Sequence, residues 1–156
     1  LIVAETMINI EETLAAVDAA ASVCDLPIMC TMTVEADGSI FSGGNAIEAA
    51  ASLEAAGADA VGVNCSVGPD QLVSVIRNIK ENVSIPVIAK PNAGMPKISD
   101  TGEASYDMTP ERFGRSMAAE FATHIKALVD AGAGIVGGCC GTTPEYIKEV
   151  AKILVH

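Results

Sequence analysis

Five short apolar runs recur along the chain: LIVAET (1–6), PIMCTMTV (27–34), DAVGVNC (59–65), IPVIAKP (85–91) and AGIVGGCC (133–140). They are continuous rather than alternating, which suits strands covered by helices, and they predict parallel strands. Between them lie helical patterns of about 10 to 20 residues. Each opens on a start signal: Asn9 with Glu12, Asn45 with Glu48, Pro69 after Gly68, Thr109-Pro110, and Thr143-Pro144. Gly57 and Gly132, in the phrases EAAGAD and VDAGAG, stand where a helix ends and the chain turns into the next strand. The predicted order is βαβαβαβαβα, an α/β fold of parallel βα repeats with about five strands.

Five such units make either a complete open sheet or a little over half of an eight-stranded barrel, which takes roughly 250 residues. The 156 residues are expected to form a single domain. The chain opens inside a strand without an initiator Met, as expected of part of something longer. The segments that follow strands, EADGSIFSGGN (35–45), SVGPD (66–70) and NAGMPKISDTGEASYDMT (92–109), are long and rich in Gly, Pro and polar residues. Function in parallel α/β folds gathers at that end of the strands.

Composition narrows the field. Half the residues are apolar and only 3% are aromatic, so the expected core is Ala, Val, Ile and Leu. A net charge of −11 repels nucleic acid. No apolar run reaches the roughly 18 to 20 residues that cross a bilayer. The opening LIVAETMINIEE carries acids where a signal peptide carries bases, so a soluble cytoplasmic protein is expected. Five cysteines, an odd number, argue against a disulfide framework and for metal or thiol chemistry.

Cys65 ends the third strand and Cys139-Cys140 end the fifth, so all three thiols fall on one rim of a parallel sheet. Three protein ligands with a fourth position open describe a catalytic metal site. Neighbouring side chains on a strand point to opposite faces, so the chain must leave β geometry at the cysteine pair. Gly137, Gly138 and Gly141 supply the freedom to do so. Cys24, beside a helix end, and Cys30, within a strand, read as small buried hydrophobes. His124 lies inside a helical pattern and His156 is terminal, so neither is needed by a site. Asp37 and Asp100 read as turn residues, and GSIFSGG lacks the ending of a phosphate loop.

The blocks VGVNCSVGPD (61–70), KPNAGMP (90–96) and GGCCGTTPEYI (137–147) resemble the signatures of the homocysteine S-methyltransferase family, in its cobalamin-dependent methionine synthase form. LIVAET and PIMCTMTVEADGSIFSGG are also in register, so the likeness covers essentially the whole chain. It implies a (βα)8 TIM-type barrel of which residues 1–156 form one partial domain, strands four to eight. It also implies zinc (Zn²⁺) on Cys65, Cys139 and Cys140, and Glu5 near the amino group of homocysteine. Glu5 has a physical case as well, since an acid at a strand end on the thiol rim can pair with an ammonium group. Asn92, after the fourth strand, is expected either to bring its amide oxygen to the zinc or substrate, or to form a turn. Asn64 and Ser66 flank a ligand as candidate hydrogen-bonding support, and Gly68 as an anion-accepting helix start.

The implied reaction is methyl transfer to the thiol of homocysteine, giving methionine. The donor is methylcobalamin or methyltetrahydrofolate, with cobalamin on another domain; other relatives use sulfonium or betaine donors. Expected partners are homocysteine, the methyl-donor module and the first part of the barrel. Two readings compete: a structural-zinc or redox domain with a Cys139-Cys140 disulfide, and a half-barrel inactive on its own.

Overall fold

The computed structural model describes residues 1–107 and 117–155. The Thr109-Pro110 helix start and His156 lie outside the described residues. Within them the expected strands all form: β1 (Ile2–Met7), β2 (Ile28–Met32), β3 (Ala60–Asn64), β4 (Val87–Lys90) and, after an added hairpin, β7 (Ala133–Val136). They build one parallel sheet in the order β1-β2-β3-β4-β7. The helices are α1 (Ile10–Val23), α2 (Ala46–Ala55), α3 (Val73–Asn82), α4 (Met117–Asp130) and α5 (Pro144–Leu154). Each helix packs against the next, so they line a single face of a sheet whose order never reverses. That is the layout of a barrel arc rather than a doubly wound sheet.

Local chemistry sets the boundaries. The Asn9 carboxamide accepts the Glu12 N–H at 3.0 Å, and Asn45 accepts those of Ile47 and Glu48, so two helices carry side-chain N-caps. Gly57 and Gly132 take φ of 99° and 114° at the turns out of α2 and α4, a conformation without a Cβ clash. On α2 the buried positions Ala46, Ala49, Ala50 and Leu53 follow the helical period. On α4 they are Ala118, Phe121, Ala122, Ile125 and Leu128. Phe121 meets Tyr146 of α5 edge to face, with ring centroids 5.3 Å apart. Each large side chain buried in this layer contributes roughly 1.5–3 kcal/mol.

Strand register divides the sheet into two faces. Cys30, Val61, Val87 and Ala133 form one cross-strand row, and Met32, Val63, Ala89 and Val136 another. Both rows pack into the helix-covered core. The alternate row, Thr31, Gly62, Ile88 and Ile135, faces the other way, as do Asn64 and Lys90, which pair in register. Glu5 joins this second face, because Val3, two residues earlier, pairs with Met29, two residues before Thr31. The second face is therefore the polar one near its rim.

Gly62 marks the tightest packing in the sheet. A Cβ there would stand 1.9 Å from the Ile88 carbonyl oxygen on the neighbouring strand, so Gly62→Ala must part β3 from β4. The expected loss is about 1–3 kcal/mol or more in urea unfolding. A wild-type midpoint would show instead that the backbone yields without resistance.

One element departs from expectation. The segment after β4, read as a long polar connection, contains an antiparallel hairpin of β5 (Met95–Ile98) and β6 (Ala104–Asp107). Its turn is closed by the Gly102 N–H to the Ser99 carbonyl at 2.9 Å.

Candidate metal centre

The three predicted thiols do meet. The sulfurs of Cys65, Cys139 and Cys140 all lie within 4.8 Å of one another, and those of Cys65 and Cys140 are 3.7 Å apart. Among the described residues no further His, Cys, Asp or Glu joins the group. Sulfurs about 2.3 Å from a tetrahedral zinc stand about 3.8 Å apart, so this donor set fits a soft divalent ion. No disulfide joins any of the five cysteines, and Cys24 and Cys30 stand outside the cluster. Cys30 is fully buried in β2, and Cys24 caps the end of α1.

The backbone shows how a 65-to-140 cluster is assembled. β3 ends at Asn64, and Cys65 and Ser66 then adopt positive φ of 65° and 57°. Non-glycine residues rarely sit there, and such strain gathers at functional sites. The turn is held by the Cys65 N–H to the Lys90 carbonyl at 3.0 Å and the Val67 N–H to the Cys65 carbonyl at 2.8 Å. β7 ends at Val136, and the chain leaves strand geometry at Gly137, as the adjacent cysteines require. A Cβ at Gly138 would come within 2.4 Å of Thr142, so only glycine lets the loop close over that side chain. The Cys139 N–H reaches the Pro91 carbonyl at 2.8 Å, and the Ala93 N–H reaches the Cys140 carbonyl at 2.9 Å. Three loops from three strand ends are thus stitched together by main-chain bonds.

Two buried amides support the sulfurs. Asn64, 1% exposed, donates to the Cys139 sulfur at 3.7 Å and to the Thr6 hydroxyl at 2.7 Å, while its oxygen accepts the Thr6 N–H at 3.0 Å. Thr6 itself has φ of 61°, at an irregularity of β1, so Asn64 ties β1 to the thiol site past β2. Asn92, 2% exposed, accepts the Cys140 N–H at 3.1 Å. Its carboxamide oxygen therefore orients the cysteine loop.

Burial pushes the Cys65 thiol up to about 11, and its hydrogen bond with Cys140 adds to the rise. Without a metal it is a thiol at neutral pH.

The remaining candidates are also placed. Glu5 lies on β1 and forms an ion pair with Lys90. Gly68 offers no anion cradle: the Asp70 carboxylate and Gly94 crowd the space a Cβ would occupy, and the helix there, Pro69–Gln71, is a single short turn. That expectation is corrected by the negative charge of Asp70, which opposes an anion. His124 pairs with Glu120 one turn earlier at 3.3 Å. Asp37 accepts the Ser39 N–H at 2.9 Å, the turn role expected of it. Lys90 and Thr6 were not singled out by sequence; strand parity points to Lys90, whereas nothing local points to Thr6.

Known proteins bear on this geometry. The family profile described as homocysteine S-methyltransferase matches residues 1–154. The methionine synthases of Mycobacterium leprae and Mycobacterium tuberculosis are 36% and 35% identical over 131 residues, 84% of this chain. The chain spans about 10% of the length of these curated relatives. The homocysteine methyltransferase MmuM from Escherichia coli, in its apo form, superposes with a TM-score of 0.74 at 20% identity, over 97% of this chain and 49% of that one. Its metallated form gives 0.73 at 19% identity, over 97% and 44%. These likenesses establish the TIM-barrel-type fold. Among the described residues, no helix is long and apolar enough to cross a membrane. On the profile match over 154 residues and the relatives above one-third identity, the chain belongs to the homocysteine S-methyltransferase family.

Proposed function

We propose that the chain carries the zinc-binding, thiol-activating part of a homocysteine methyltransferase barrel, residues 1–156 being its strands four to eight. The observation that carries this reading is the convergence of three thiols, with no fourth His, Cys, Asp or Glu among the described residues, at the C-terminal rim of a parallel sheet. Cys65, Cys139 and Cys140 hold the zinc. When bound, the metal would lower the pKa of a thiol placed beside it and hold that sulfur as an electron-rich thiolate.

The chain's own groups do the rest. Asn64 donates to the Cys139 sulfur, tempering its charge and fixing its direction. Asn92 fixes the Cys140 loop, which sets where that sulfur stands. Glu5, on the same face and near the same rim, receives the substrate ammonium. The substrate is homocysteine and the product methionine. The donor is methylcobalamin or methyltetrahydrofolate, as the resemblance to the cobalamin-dependent form of the family implies, with cobalamin on another domain. The first part of the barrel completes the pocket.

The test is formation of methionine by the zinc-loaded full-length protein from homocysteine with each of three donors: methylcobalamin, a methylsulfonium and a betaine. Turnover confined to methylcobalamin is expected. Turnover with a sulfonium or betaine alone would move the donor assignment, and none with any donor would remove the enzymatic reading.

A further inference from the structure

We propose that Thr6 is a positioning residue of the metal centre, holding an N–H on the Cys139 sulfur through the Asn64 carboxamide. The inference rests on the reading that the three thiols bind a metal, and it is independent of the thiol and the methyl donor that the site receives.

The backbone of β1 leaves regular strand geometry to place Thr6. Between the pairs Ala4–Cys30 and Met7–Met32, β1 advances three residues while β2 advances two, so β1 carries an extra residue at Glu5-Thr6. Thr6 takes φ of 61°, where a β-branched residue is an outlier. Bulges re-aim side chains, and strained dihedrals persist where the surroundings over-determine them. Here both polar groups of Thr6, its main-chain N–H and its hydroxyl, meet one partner, Asn64, 58 residues on.

Both ends of the Asn64 carboxamide are engaged. Its oxygen accepts the Thr6 N–H at 3.0 Å, and its nitrogen donates to the Thr6 hydroxyl at 2.7 Å and to the Cys139 sulfur at 3.7 Å. A main-chain N–H can only donate, so it requires the amide oxygen opposite it and turns the two-proton end toward the sulfur. The Thr6 hydroxyl takes one of those protons and leaves the other for Cys139. Asn64 is 1% exposed and has no solvent to turn to instead.

The sulfurs are served in different ways. Cys65 receives the main-chain N–H of Ser66, a donor that side-chain truncation leaves in place. Cys139 depends on a relay of side chains, from Thr6 to Asn64 to sulfur. A thiolate that accepts a hydrogen bond gives less charge to a metal, so the relay sets how electron-rich the Cys139 ligand is. A hydroxyl that merely braced β1 against β3 would change stability and leave the sulfur alone.

That difference sets the experiment. Full-length protein is loaded with Co²⁺ in place of zinc, because sulfur-to-cobalt charge-transfer absorption moves to longer wavelength as a thiolate ligand becomes richer in electrons. Thr6→Val, which keeps the shape and drops the hydroxyl, is expected to shift that band to longer wavelength and to weaken zinc by about tenfold in chelator competition. Thr6→Gly should give the same two changes, and glycine adopts φ of 61° without strain, so the hydroxyl is removed without risk to the turn. Thr6→Ser should keep both signals near wild type. In an Asn64→Ala background, Thr6→Val should add nothing to either. A band that stays in place in Thr6→Val and Thr6→Gly, a shift that Thr6→Ser shows as fully as Thr6→Val, or an effect that persists in the Asn64→Ala background would make Thr6 a brace and overturn the proposal. Failure of the wild type to bind either zinc or cobalt overturns the metal reading, and this inference with it.

Discussion

Substitution of Cys65, Cys139 or Cys140 by Ala is expected to strip the protein of stoichiometric zinc, while Cys24→Ala and Cys30→Ala retain it. A protein zinc site binds with about 10–16 kcal/mol in all, so each thiolate carries about 3 kcal/mol or more, and its loss weakens the site by at least two powers of ten. Two sulfurs do not hold the ion against a mild chelator. Cys24 makes only a local contact with the Ala20 carbonyl at 3.5 Å, so its removal should be nearly silent. Cys30 differs: it is fully buried in β2, and trimming it to Ala should cost about 1–2 kcal/mol of folding stability with the metal still bound. Metal content by mass spectrometry after dialysis, beside urea unfolding curves, separates these outcomes. Zinc loss from Cys24→Ala as large as from Cys65→Ala would mean the site was assigned to the wrong sulfurs.

What could be read from sequence follows the range of the interactions. Asn9 and Asn45 cap helices through bonds that span two or three residues, and Gly57 and Gly132 end them by their own dihedral freedom, so those boundaries were legible. The thiol cluster was legible for another reason: parallel strands share one rim, and cysteines at strand ends must converge there. The hairpin of β5 and β6 was not, because Pro96, Gly102 and the polar residues between the strands read as loop chemistry, and four-residue strands carry little periodicity. Thr6 was missed because its partner is Asn64, 58 residues on, and its positive φ has no sequence signal in a threonine. The Glu5–Lys90 pair depends on the number of strands between them and on the parity of each, which only the register fixes.

Titration of the zinc protein with homocysteine should add one sulfur to the metal's surroundings and release about one proton near neutral pH. The reason begins with the metal-free site, where burial pushes the Cys65 thiol up to about 11. Zinc must displace that proton, so uptake of the metal strengthens as pH rises, at least tenfold per pH unit from Cys65 alone through the neutral range. With zinc bound, the three cysteines of the chain would supply three of its four expected sites and leave the fourth to an oxygen or nitrogen ligand. Free homocysteine, with a thiol near pH 8.5, is mostly protonated at neutral pH and must lose its proton to become a ligand. X-ray absorption at the zinc edge should therefore change from three sulfurs plus one light atom to four sulfurs. An indicator titration should register the proton, and the two measurements fail independently. Four protein sulfurs before any substrate is added, with neither signal moved by homocysteine, would make the metal structural and would reject the thiol-activating role. Four sulfurs on addition without proton release would keep homocysteine as a ligand but mean that its thiol proton is taken up by a group of the protein or leaves with a hydroxide displaced from the metal.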